Sequence, residues 1–299
     1  MSIVVTGATG ELGRLVIDQL LATVPAASVA AVVRDKEKAA GLAARGVELR
    51  IADYNHPETL AEAFRAGDRV LLVSGSEVGR RTEQHGAVID AAKAAGVAQL
   101  AYTGVLGGPE ADFLLAAEHK VTEQLILDSG LPYTFLRNGW YTENYTANLA
   151  PVLEHGAVVA NAGEGRIASA TRADYAAAAA AVLTGEGHLG AAYELSGDVA
   201  WSLAEYASAI AGATGKEITY KNVPAAVHQE ILVGAGVPEG FAAILVDVDE
   251  AIGRGLLAGT GGDLARLIGL GPGLSRGGRG RSRGCAAWRG GRPWRRGRG

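Results

Sequence analysis

The chain has 299 residues, 48% of them hydrophobic, and a formal net charge of −4, which suits one large domain or a major domain with a smaller partner. Its start, M-S-I-V-V, carries neither a basic leader nor a long apolar segment, and no run reaches the ~18 apolar residues of a spanning helix, so a cytoplasmic protein without membrane insertion is expected. The single cysteine, Cys285, excludes an internal disulfide framework and a cysteine zinc cluster.

Charge is unevenly spread. Nine of the 28 basic residues are arginines of the last thirty positions, which hold no acid; the remaining 19 face 32 acids, so the body before Leu270 is formally −13. That balance argues against nucleic acid as a partner of the body.

The first element is the apolar run Ile3 to Val5, a buried parallel strand, followed by the turn Thr6 to Gly10 and then by Leu12, Leu15, Val16 and Leu20 at helical spacing. A strand, a glycine turn and a helix start form a phosphate cradle. Gly7 permits the sharp turn, Gly10 keeps the backbone bare toward a pyrophosphate, and Gly13 lets the helix pack closely on the strand. The spacing is G-x-x-G-x-x-G rather than G-x-G-x-x-G, a variant of the dinucleotide fingerprint.

Val29 to Val33 reads as a second strand with Arg34 at its tip, where an arginine accommodates the 2′-phosphate of NADP and a carboxylate would hold the ribose of NAD. Arg34 favours NADP(H). Asp35 leaves NAD(H) open, and a solvated basic residue at a strand end is the bland alternative. Lys36 to Arg45 is expected to be a helix and Val47 to Ile51 a third strand leading to Asp53, which either reaches an adenine amino group or caps the next helix.

Pro57 opens an expected helix toward Phe64. Arg69 to Val73 is strand four, running into Ser74, Gly75 and Ser76 at the carboxyl edge of the sheet, where such folds bind ligands. A helix from about Thr82 to Ala95 ends at Gly96, strand five is Gln99 to Thr103, a helix covers Ala116 to Ser129, and strand six is Tyr133 to Leu136. This alternation implies an α/β fold with a doubly wound parallel sheet of the Rossmann type.

Beyond it come Arg137, Asn138, Gly139, Trp140 and Tyr141, and the rings of the last two could stack on a flat substrate or simply fill a core. Arg172 to Leu183 is an alanine-rich helix with Asp174 as its expected N-cap, Tyr193 to Leu195 is a short strand, and Ser202 to Thr214 is a helix opened by the capping box S-L-A-E. Ile218 to Tyr220 is a strand and Val227 to Ala235 a helix. Residues 1–137 and 170–190 are assigned to the dinucleotide-binding domain, and 138–169 with 191–269 to a smaller α/β lid. The remainder, 270–299, is a Gly/Arg-rich tail that reads either as an RNA-binding segment or, preferably, as the frameshifted end of a GC-rich gene.

Taken together, V-T-G-A-T-G-x-L-G, V-V-R-D, A-D-Y, S-E-V-G-x-R, L-P-Y-T-x-L-R-N-G-W-Y-T-E-N-Y and A-S-A-T-R-A-D-Y-A resemble the NmrA-like group of atypical short-chain dehydrogenase/reductases, and within it the bacterial type 2 NAD(P)H:quinone oxidoreductases. The likeness runs from Met1 to about Gly269. It implies dinucleotide phosphates over Gly7, Ala8, Thr9, Gly10, Glu11 and Leu12, and the adenosine phosphate near Arg34. It further implies Ser74, Gly75, Ser76 and Glu77 flanking the ribose and nicotinamide. Asn138, Gly139, Trp140, Tyr141 and Glu143 would line the mouth where a small-molecule quinone meets the nicotinamide, with Arg172 beside them. The serines expected at positions 75 and 104 are Gly75 and Gly104 here.

Carbonyl-reducing relatives need a Tyr-x-x-x-Lys pair, because the tyrosine protonates an alkoxide and the lysine lowers its pKa. No tyrosine in this chain has a lysine four residues on. A quinone needs no such pair, because its reduced anion is delocalised and takes its proton from solvent, so no catalytic acid is assigned. His119 is expected on a solvated helix face, while Tyr102 and Thr103 could point into the crevice. No metal and no flavin are implied, and a homo-oligomer is left open. The alternative from another class is a non-catalytic redox sensor that binds NADP(H) and reports to a partner.

Overall fold

The computed structural model describes residues 1–147 and 149–269; the tail assigned to 270–299 lies outside them. In chain order the elements are β1 (Ile3–Val5), α1 (Glu11–Leu21), β2 (Val29–Val33), α2 (Ala40–Ala43), β3 (Glu48–Ile51), β4 (Arg69–Leu72), α3 (Arg81–Ala95), β5 (Gln99–Val105), α4 (Ala116–Ser129) and β6 (Tyr133–Asn138). There follow α5 (Glu143–Thr146), α6 (Ala150–His155), β7 (Ala157–Ala160), β8 (Arg166–Ile167), α7 (Arg172–Thr184), β9 (Ala191–Leu195), β10 (Trp201–Ser202) and α8 (Leu203–Thr214). The last are β11 (Thr219–Asn222), α9 (Ala225–Gly234), α10 (Glu239–Gly253) and α11 (Asp263–Leu267).

Seven parallel strands form the main sheet in the order β3-β2-β1-β4-β5-β6-β9. Because both faces are covered, successive strand residues feed opposite cores rather than alternating between core and water. Ile3, Val5, Ala31 and Val33 join Val16, Ile17 and Leu20 of α1 and Tyr175, Ala179 and Leu183 of α7 on one face. Val4, Ala30, Val32, Val70 and Leu72 meet Val88 and Ile89 of α3 and Ile126 of α4 on the other. The alanines of α7 let that helix lie close to the sheet and to α1.

A third core gathers Phe113, Ile167, Trp201, Leu203, Ile210 and Ile252, from the smaller part built on the β8–β10 and β7–β11 pairs. Helix α8 begins as the sequence leads one to expect: the Ser202 hydroxyl accepts the Glu205 N–H at 3.2 Å, and the Glu205 carboxylate accepts the Ser202 N–H at 3.0 Å.

Several elements differ from the sequence reading. The helix expected over 36–45 shrinks to α2, because the Asp35 carboxylate accepts the N–H groups of Glu37 (2.9 Å) and Lys38 (3.2 Å) and holds a turn there. Pro57–Glu62 winds as a 3-10 turn rather than an α-helix. The cap of α7 is Thr171, and Asp174 closes the box from the third helical position. Strand β9, assigned by sequence to the lid, is the seventh strand of the main sheet beside β6. Helix α10 has no counterpart in the sequence reading.

Partly buried Arg137 is paired twice over. Arg137 donates to both oxygens of Glu123 at 2.9 and 2.8 Å and to Glu194 at 2.8 Å, and those two carboxylates hold the guanidinium's pKa above its usual value despite burial. Glu194 also accepts the Gly107 N–H at 2.8 Å, which ties the loop after β5 to the carboxyl end of β9.

Candidate active site

The strand order reverses between β1 and β4, and α/β sheets open a crevice outside the carboxyl ends of the strands at such a point. Three segments converge there: the turn after β1, the tip of β2 and the loop after β4. Gly7 adopts φ +57°, a conformation that favours glycine, and its carbonyl accepts the Gly10 N–H at 2.9 Å, so the turn doubles back before α1 begins. A Cβ on Gly13 would sit 2.3 Å from the Gly7 oxygen and 2.9 Å from the Ala8 Cα; only glycine allows α1 to start so near the turn.

Ala8 and Leu12 bury their side chains in the core, whereas Gly7, Gly10 and Glu11 face solvent and Thr9 is half-buried. No side chain caps α1, in contrast to the boxes on α7 and α8. Its first-turn N–H groups and positive dipole end therefore face the crevice, where an anion would satisfy them.

Arg34 is exposed at the tip of β2, and its guanidinium stands 3.9 Å from the Glu77 carboxylate across the end of β1. Asp35 is committed to its own turn. Asp53 likewise accepts the Asn55 N–H at 3.0 Å, a local Asx turn, with Thr59 holding its backbone N–H at 2.9 Å. Tyr54 donates to the buried Thr6 hydroxyl, and Thr6 in turn bonds the backbone of β4, which fixes the floor of the crevice.

The loop after β4 is tied down by Thr103, which the sequence reading places near the crevice, and by α3 residues to which it gives no role. Ser74 donates its N–H to Thr103 Oγ1 at 2.9 Å, Gly75 donates to His85 Nε2 at 2.9 Å, and Arg81 Nε donates to the Gly75 carbonyl at 2.7 Å. Gln84 Nε2 reaches Glu77 at 3.1 Å and Asn55 at 3.1 Å. Arg81 closes the S-E-V-G-x-R motif without a role read from it, no local motif marks His85, and both take their roles from the way α3 packs under the loop.

Beyond β6, Asn138 is buried and donates from Nδ2 toward the Tyr141 hydroxyl at 3.5 Å, while Gly139 bonds the Leu195 carbonyl at 2.7 Å. Tyr141, Glu143 and Arg172 come together: the Arg172 guanidinium lies over the Tyr141 ring at 4.6 Å, and Tyr175 meets that ring edge-on at 5.3 Å. Both Glu143 oxygens accept the Arg172 N–H, at 3.0 and 3.1 Å, placing the carboxylate at the start of α7, where the dipole favours it. Trp140 packs instead against the third core, so the structure separates the two aromatics.

His119 and Tyr102 correct the sequence reading. His119 is buried, not solvated, and its Nδ1 lies 2.7 Å from the hydroxyl of a fully buried Tyr102. Burial pushes the Tyr102 hydroxyl above its usual range, so it is no ready proton donor at the crevice. Burial, with Arg81 nearby, lowers His85 to about 4, and burial, with Arg81 and His85 nearby, lowers His119 to about 3.

Both histidines are thus neutral in the folded chain while an unfolded one titrates near 6.5. Between those values the unfolded state binds more protons, so stability is full above about pH 6.5 and falls as acid is added, by about 1.4 kcal/mol per unit for each histidine. The urea midpoint is expected to be flat at neutral pH and to drop steeply toward pH ~4.5, with the slope roughly halved in His119→Gln; an unchanged slope in that variant contradicts the assignment.

Among the described residues, no group of three or more His, Cys, Asp or Glu side chains is placed to hold a metal ion, and no helix is long and apolar enough to cross a membrane.

Comparison with known proteins agrees with this architecture. Residues 1–255 match the NmrA-like family. Quinone oxidoreductase 2 of Escherichia coli is 48% identical over 267 residues, 89% of this chain and 93% of that protein. The crystal structure of the E. coli NADPH-dependent quinone oxidoreductase complexed with NADPH superposes with a TM-score of 0.89 at 46% identity, covering 94% of this chain and 99% of the other. That of the Citrobacter triphenylmethane reductase complexed with NADP(H) gives 0.86 at 43% identity, covering 91% and 97%.

Proposed function

The chain belongs to the NmrA-like family, and on that premise we propose that it is an NADPH-dependent oxidoreductase that delivers a hydride to a quinone. The observation that carries the reading is the uncapped start of α1 above the Gly7–Gly10 turn, a cradle that any side chain at Gly13 would collapse, with Arg34 at its adenosine end. Those residues fit a dinucleotide: first-turn N–H groups for the pyrophosphate, and a guanidinium for a 2′-phosphate.

When bound, NADPH supplies the hydride. The protein's part is to hold and to exclude. The loop Ser74–Glu77 is assigned to the ribose and nicotinamide side. Asn138 and Gly139, at the end of β6, and the Tyr141, Glu143 and Arg172 cluster form the opposite wall, where a flat acceptor would lie. Arg172 covers one face of Tyr141, so stacking of a quinone on that face requires the guanidinium to swing aside or to bear on the quinone oxygen. The reduced oxygen takes its proton from water, because Tyr102 and Tyr175 are buried with their hydroxyls raised above the usual range.

The cytoplasmic location and the quinone partner belong to this same reading. The alternative, a sensor that binds NADP(H) without turnover, loses ground to the 48% and 43% identities with reductases. Steady-state assay decides between them: purified protein is expected to oxidise NADPH with benzoquinone at a kcat/KM at least tenfold above that for NADH, and saturable nucleotide binding with no turnover would leave only the sensor.

A further inference from the structure

We propose that His85 is a positioning residue for the nucleotide, because its imidazole Nε2 and the Arg81 guanidinium hold the N–H and the carbonyl of Gly75, one on each of the two peptide units that meet at its Cα, and so set the loop that meets the cofactor. The inference rests on the nucleotide reading of the crevice.

The clamp has two jaws, both from α3. The Gly75 N–H donates to His85 Nε2 at 2.9 Å, and the Gly75 carbonyl accepts from Arg81 Nε at 2.7 Å. Their order in the helix, four residues apart, puts both on one face. His85 is completely buried and Arg81 nearly so. With an acceptor on its N–H and a donor on its carbonyl, Gly75 has the peptide units on both sides of its Cα held against α3.

The tautomer is set by the neighbours. The Thr122 hydroxyl donates to the Glu118 carbonyl at 2.8 Å, so it can only accept from His85 Nδ1, 2.9 Å away. The imidazole proton therefore sits on Nδ1, and Nε2 presents its lone pair to Gly75. Helix α4 fixes the other end too: the Glu118 carboxylate accepts the N–H groups of Gly79 and Arg81, each at 2.9 Å.

Position 75 itself fits the clamp. A Cβ there would lie 2.9 Å from Gln84 Oε1, on the side chain whose amide nitrogen holds Glu77, which in turn faces Arg34. Displacing the Gly75 backbone therefore shifts the loop on both its nicotinamide and adenosine sides. Loss of the acceptor leaves a part-buried N–H unmatched, and the loop escapes by moving.

The test compares His85→Leu, which removes the acceptor, with His85→Gln, whose amide oxygen extends to similar reach. In steady-state NADPH oxidation with benzoquinone, His85→Leu is expected to raise the KM for NADPH about tenfold or more while kcat changes less than threefold, and His85→Gln to recover most of that loss. A purely structural histidine would instead lower the active fraction, seen as a reduced kcat at unchanged KM, and that result overturns the proposal. Should His85→Leu not fold, Thr122→Val decides: it removes the Nδ1 partner, along with the hydroxyl's bond to the Glu118 carbonyl one turn back in α4, and is expected to raise the same KM several-fold, with an unchanged KM counting against the clamp. Wild-type protein that shows no saturable NADPH binding would refute the nucleotide reading itself, which separates the two failures.

Discussion

Arg34→Asp is expected to lower kcat/KM for NADPH by about 100-fold while that for NADH stays within about threefold or rises. Arg34 is exposed, its one close charged neighbour among the described residues is Glu77 at 3.9 Å, and such a surface pair contributes roughly 0–1 kcal/mol, so the fold does not depend on it. A guanidinium on a 2′-phosphate is a different matter. Charge-assisted, two-pronged contacts of this kind are worth about 1.5–3 kcal/mol, and a carboxylate in its place adds repulsion toward the phosphate while offering an acceptor to the ribose hydroxyl of NADH. Asp35 does not already play that part, because its carboxylate is held by the amides of Glu37 and Lys38. Equal losses for both cofactors, with an unchanged melting temperature, would remove Arg34 from the adenosine site.

The second large effect is expected at Gly13. In Gly13→Ala the new methyl would fall 2.3 Å from the Gly7 carbonyl and 2.9 Å from the Ala8 Cα, both backbone atoms that no rotamer change can move. Helix α1 must back away from the turn, which uncovers Val16, Ile17 and Leu20 and opens the cradle. Overpacking of this severity costs about 3 kcal/mol or more, a fall of about 10 °C in melting temperature for a domain of this size. Nucleotide affinity is expected to fall with it. Gly41→Ala in α2 is the control, since a Cβ there meets nothing within 4 Å and alanine favours a helix; calorimetry should find it neutral or slightly stabilising. A Gly13→Ala protein as stable as wild type would contradict the packing described.

What the sequence discloses here is what is local. The G-x-x-G-x-x-G spacing after an apolar triplet fixes a turn, a helix start and a close approach within a dozen residues, and each glycine has a steric reason in the folded chain. The strands are legible for the same reason: V-V and V-L-L-V runs buried on both faces have no other comfortable place. The capping box of α8 is readable from four letters, and so is that of α7 in T-R-A-D, where naming Asp174 as the cap passes over Thr171, whose hydroxyl accepts the Asp174 N–H.

The features hidden from the sequence are tertiary. His119 reads as solvated because Glu118 and Lys120 flank it, yet at i, i+3 and i+4 it stands with Thr122 and Glu123 on a buried face that is polar, a pattern hydrophobic periodicity cannot detect. His85 and Arg81 acquire their partners only when α3 folds under the loop after β4. Strand β9 is short and half-buried at a sheet edge, so nothing in A-A-Y-E-L distinguishes an edge strand of the main sheet from a strand of the smaller part. Tyr141, Glu143 and Arg172 are named through the resemblance, far apart in the chain, and only the fold brings Arg172 against the other two, whereas Trp140 turns to the third core.

The measurement that bears most directly on the central claim is a single-turnover mixing experiment, in which protein loaded with NADPH meets a slight excess of benzoquinone and nucleotide and quinone absorbance are followed together. Hydride delivery predicts that one NADPH disappears for each quinone reduced, and that deuterium at the transferred position of the nicotinamide slows the step severalfold. NADPH that stays bound and unoxidised while the quinone persists would contradict it.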